Sequence, residues 1–147
     1  QNHGARQFDR IKQIVIRIQF VVFVYGVILG NLLFLFNTQF LGLYTSSPDV
    51  IAYGALRLSI ISTLHFFCGM MDVMGASVRG LGYSIMPTVI TLFGVIGIRI
   101  VWIMTFFRLD QFHSVRSLYL TYPVSWILTF TLHLISLKIV WKKVCSK

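Results

Sequence analysis

Asp72 is the only carboxylate inside one of the long apolar runs of this sequence. An acid at such a position is costly in a hydrocarbon environment, and the default reading is a functional group or one half of an ion pair. A coupling or gating carboxylate that binds a small cation or a proton is one chemistry open to it. Pairing with a basic residue near the membrane surface is the other. His65 and Cys68 precede it in a His-x2-Cys-x3-Asp series along one helix face. That series has ligand-type side chains, but three residues spread over two helical turns cannot converge on one metal ion without a kink. No metal site is therefore expected. Histidine is the side chain suited to carrying protons, so His65 is a candidate proton carrier beside Asp72, or else a hydrogen-bonded packing residue.

Two arginines belong with these groups. Counted from the span centres, Asp72 lies about 13–15 Å, and Arg17 about 12 Å, toward the same membrane face at about 1.5 Å per residue. The depths match, so an Arg17–Asp72 contact is expected if their helices are neighbours. Arg99 sits about 4–5 Å from the centre of its own span on the opposite side. No carboxylate of the sequence shares that depth. Arg99 must face a cavity, find a partner elsewhere, or snorkel to the surface. His133 and the hydroxyl residues Thr121, Ser125, Thr129, Thr131 and Ser136 read as interhelical packing groups. Gly26-x3-Gly30 and Gly94-x2-Gly97 permit close helix approach.

The elements that carry these residues follow from composition. The 147 residues are 56% hydrophobic and 12% charged, with mean hydropathy +0.80. Soluble domains have about 25% charged residues, and disordered chains are poor in apolar ones. An integral membrane protein is the class that remains, all-α in fold. Four apolar stretches, at about 14–36, 50–76, 85–107 and 118–140, are each long enough to cross a bilayer as a helix. Ser47-Pro48-Asp49 carries the signals of a helix start. Pro123 is either a first-turn residue or a kink.

The net charge of +9 is distributed as membrane flanks rather than as a solvated basic face, which argues against nucleic-acid binding. Nine basic residues (Arg6, Arg10, Lys12, Arg17, Arg79, Lys138, Lys142, Lys143, Lys147) fall on one side, and three (Arg57, Arg108, Arg116) on the other. The positive-inside rule puts both ends and the Arg79 turn in the cytoplasm. Cys145 then lies in a reducing compartment and Cys68 within a span, so no disulfide is expected.

Three segments, read in order, resemble one family. Gln1-Asn2-His3-Gly4-Ala5 is similar to the Gln-Asn-x-Gly-Ala element of multidrug and toxic compound extrusion (MATE) transporters. Arg79-Gly80-Leu81-Gly82, followed by Pro87, resembles that family's Leu-Arg-Gly-x-Gly turn. Gly97-Ile98-Arg99-Ile100-Val101-Trp102 is similar to the Arg-containing run of its next helix. The resemblance implies the last four helices of a twelve-helix secondary exporter of organic-cation drugs, driven by Na⁺ or H⁺ and needing no cofactor. It implies a plasma-membrane location, the bilayer and eight preceding helices of the same transporter as partners, and a cation-coupling acid on the Asp72 helix. In the family that acid stands about one turn earlier, where this sequence has Cys68. The missing initiator Met fits the expectation of a C-terminal piece. A lipid or polysaccharide flippase of the same superfamily, and a free-standing four-helix assembly or regulatory protein, are the alternatives. A membrane enzyme is not expected, because one acid and two His residues within spans form no catalytic constellation.

Overall fold

A chain in hydrocarbon has no water to satisfy its backbone, so each apolar stretch must bond its own N–H and C=O groups as a helix. The computed structural model describes residues 1–145, and no strand occurs among them. Lys147, placed with the basic tail by the charge pattern, lies outside the described residues. The elements are α1 (Phe8–Leu35), α2 (Asn37–Gly42), α3 (Pro48–Ile61), α4 (Phe66–Gly80), α5 (Ile85–Thr91), a π-helical segment (Leu92–Gly97), α6 (Ile98–Met104) and α7 (Val115–Cys145). Two short 3-10 turns, Phe106–Arg108 and Asp110–Phe112, join α6 to α7. Three helical runs, α1, Ile85–Arg108 and α7, are long and apolar enough to cross a membrane, and the pair α3 and α4 supplies a fourth crossing if it forms one span. The protein is a multi-pass membrane protein with an all-α fold.

The α3–α4 pair is broken. α3 and α4 meet at 48° across residues 62–65. Local chemistry accounts for the break. The hydroxyls of Ser59, Ser62 and Thr63 donate to the carbonyls of Leu56, Leu58 and Ser59, at 2.8 Å for the first and 2.7 Å for the last. Such back-bonds bend helices. Gly30 of α1 packs against the Ser62 carbonyl, where no side chain would fit. At the start of α3, Pro48 holds the first helical position, while Ser47 makes no side-chain cap bond.

Order in space differs from order in sequence. α4 packs against α1 on one side and α7 on the other, and the α5–π–α6 run packs against α7. A stripe on α7 makes this possible. Ser117, Thr121, Ser125, Thr129, His133 and Ser136 are all buried, and their spacing of three or four residues links them into one stripe that winds slowly around the helix. The small hydroxyl side chains among them let backbones approach closely. Pro123 is interior to α7, in its third turn. Large apolar side chains such as Phe20, Leu35 and Phe93 point outward and remain exposed, as a lipid-facing surface requires.

One end of the bundle has its own apolar cluster: Val78, Leu81, Val140 and Val144, with Phe8, Tyr83 and Trp141 packed on it. The Arg79–Tyr83 turn closes it. Tyr83 N–H donates to Val78 C=O at 3.3 Å and Gly82 N–H to Arg79 C=O at 2.9 Å. Gly82 has φ +90°, so this is a Schellman motif with Gly82 at the left-handed position and the Tyr83–Val78 contact beside it. Gly80 is the last residue of α4, and Arg79 before it is exposed.

Candidate functional site

A groove of about 390 Å³ runs between α1 and the α3/α4 span. His65, Cys68 and Asp72 lie on one wall with Ser62, and Val22, Tyr25 and Leu29 are on the facing wall. Their spacing of three and four residues puts the first three on one face of α4 and of the turn that precedes it. The Asp72 side chain is exposed. It has no hydrogen-bond or ion-pair partner among the described residues. His65 and Asp72 are separated by about 10 Å along the helix axis. Among the described residues, no three His, Cys, Asp or Glu side chains come together where a metal ion could sit. The groove thus combines a single negative charge with aromatic and aliphatic walls. That is the chemistry of a receptor for an apolar cation or for a small cation or proton.

The expected Arg17–Asp72 pair does not form among the described residues. Helical phase explains the difference. The face of α1 that meets α4 carries Gln19, Val22, Gly26 and Gly30, at steps of three and four. Arg17 is two residues from Gln19, about 200° around the helix, and is exposed on the other side. Equal depth was necessary for the contact but not sufficient. Gln19 takes the place given to Arg17. Its Nε2 donates to the Met70 carbonyl at 2.9 Å, and its Oε1 is buried without a partner among the described residues. A lone Gln in an apolar run was the available signal.

Arg99 stands apart from the groove. Its Nε donates to Ser125 Oγ at 3.2 Å, and its guanidinium lies 4.1 Å over the Tyr122 ring. The half-buried charge is held against α7 by one hydrogen bond and one cation–π contact. His65 packs edge-on to Trp126 at 5.3 Å. Its ring therefore bridges the groove and α7. His133 is fully buried, with Nε2 3.1 Å from Thr91 Oγ1 and Gly75 against its ring.

The MatE family model matches residues 1–105. This chain belongs to the MatE family. The matched part of the MatE chain runs from the N-terminal turn through α6 and so contains the whole groove. The MatE chain is also 28% identical to "Probable multidrug resistance protein YoeA" of Bacillus subtilis, across 97% of its own length and 31% of that protein's. It is 29% identical over 72 residues to "Probable multidrug resistance protein NorM" of Thermotoga maritima, which is 49% of this chain and 16% of that one. The chain therefore spans under a third of the length of either relative. No solved structure matches it. The similarity to the Bacillus protein takes in nearly all of the chain, whereas the family model ends before α7.

Proposed function

We propose that this chain is the C-terminal four-span portion of a secondary active exporter of organic cations and drugs, coupled to the entry of Na⁺ or H⁺, in the plasma membrane. The observation that carries the reading is the Asp72 carboxylate, exposed on an apolar groove and without a partner among the described residues. Membership of the MatE family and the multidrug-resistance names of two relatives support it. In this reading a coupling cation or proton and a substrate cation compete for one carboxylate. Occupancy by either excludes the other, and the conformation favoured by each differs, which gives exchange. Tyr25 and Phe66 supply ring faces for an organic cation. His65 is the candidate for proton passage to Asp72. The preceding helices of the same polypeptide complete the cleft. Arg10, Arg79 and Lys142 lie toward the end that holds the Val78–Val144 cluster, and the positive-inside rule turns that end toward the cytoplasm. The work of the protein is transport, and no reaction is assigned to it.

The test is Asp72→Asn in the intact protein, reconstituted in liposomes with an imposed Na⁺ or pH gradient. Gradient-driven movement of a fluorescent organic cation should fall at least about tenfold, the scale of losing one charge-assisted contact. The variant should keep its size-exclusion profile. Transport equal to that of the unaltered protein under both gradients would exclude Asp72 from coupling.

A further inference from the structure

A second groove, about 590 Å³, lies on the bundle between α1 and α7, with Met74 of α4 at its floor. It shares neither its acid nor its aromatic lining with the first. Ile135, Lys138, Ile139 and Lys142 line it from α7 at spacings of three and four, and Lys12 and Ile16 line it from α1 at a spacing of four. The two helices bring their basic ends together, because Phe8 near the start of α1 meets Trp141 near the end of α7 edge-on at 6.3 Å. Lys12, Lys138 and Lys142 consequently sit toward one end of the groove, and Ile16 and Ile135 lie deeper. From Ile135 to Lys142 is about 10 Å along the axis. All three lysines are exposed, and no acidic side chain is among the lining residues. The Trp141 ring marks the level of the membrane surface.

We propose that this groove is a binding site for an anionic phospholipid, with the phosphate held by Lys12, Lys138 and Lys142 and an acyl chain lying along Met74, Ile16 and Ile135. The graded polarity carries the assignment. A soluble anion would leave the apolar floor uncovered, and a zwitterionic lipid would add its own cationic group beside three ammonium groups. Basic pockets between membrane helices hold lipid headgroups by this chemistry, with each lysine contributing about fivefold in affinity.

Native mass spectrometry of the intact protein in detergent tests the site, using phosphatidylglycerol and phosphatidylcholine of identical acyl chains and glycerol phosphate as the headgroup alone. Phosphatidylglycerol should be retained at concentrations at least about tenfold below phosphatidylcholine. The triple variant Lys12→Gln, Lys138→Gln, Lys142→Gln should lose that preference. Arg57→Gln, Arg108→Gln, Arg116→Gln should keep it. Ile139→Trp, which narrows the slot at a partly exposed position, should weaken both lipids. Four results overturn the proposal: equal retention of the two lipids, an unaltered triple lysine variant, glycerol phosphate binding as tightly as the lipid, or no retained lipid at all. The last would show that another segment or a second copy covers the groove.

Discussion

A methyl group at position 30 has no room. Its carbon would run into the Ser62 carbonyl, which is backbone and cannot rotate away. At Gly26 the obstruction is Phe66 Cβ, 2.7 Å from where the new carbon would stand. At Gly97 the nearest atoms are those of its own helix neighbour Phe93, at 3.8 Å, an ordinary contact. Gly30→Ala should therefore cost about 1–3 kcal/mol in the intact protein by forcing α1 away from the break. Gly97→Ala should be close to neutral. Thermal unfolding in detergent compares them, and equal losses would contradict the packing described. The Gly26-x3-Gly30 spacing was legible in the sequence because spacing alone sets its face. Asp72 was legible as the one carboxylate in an apolar run. What the Asp72 side chain meets was not, because that depends on which face α1 turns toward α4, and depth arithmetic holds no phase.

The π-helical segment decides the partner of Arg99. Four of the contacts between the third span and α7 set its register: Thr91 with His133, Gly94 with Thr129, Arg99 with Ser125, and Trp102 with Ser117. Along the third span their positions advance by three, five and three residues. Five residues of a straight α-helix would rotate Arg99 about 140° away from Gly94. A π turn has an i→i+5 repeat and brings it back. Residues 92–97 thus hold one residue more than an α-helix needs, and no sequence pattern announced it. Deleting Ile96, which is exposed, should relax this segment to α-helix with the four contacts kept and a loss below about 1 kcal/mol, the range of a surface change. Deleting Leu132 from α7 should turn His133 and Ser136, with Val140 and Val144 beyond them, by about 100° relative to the rest of the stripe and cost more than about 3 kcal/mol, since it breaks the His133–Thr91 hydrogen bond and unpacks both valines. Unfolding of the two deletion variants measures this, and comparable damage from both would refute the register argument.

Across the whole molecule, the helical and apolar character of the runs was readable from composition, because burial in lipid demands it. Their arrangement was not. Neighbours in the sequence need not be neighbours in space, and the Ser117–Ser136 stripe was visible as a set of hydroxyls without showing that it faces two other spans at once. α4 owes most of its packing to α7. Met71, Met74, Gly75 and Val78 are its buried residues. Ending the intact protein after Ser114 should thus shorten its cellular half-life several-fold, measured by pulse-chase, and an unchanged half-life would mean that α1 alone suffices to hold α4.

The central place of α4 also sets a timetable for biosynthesis. About 65 residues separate the end of α4 from the end of α7. At about 5–20 residues per second the second span waits roughly 3–13 seconds for the helix that completes it. During that interval its α7-facing surface meets lipid or the insertion machinery, while α1 is already at hand. The bent α3–α4 pair is therefore built in two stages, first docking onto α1 at Gly26 and Gly30 and then closing onto α7.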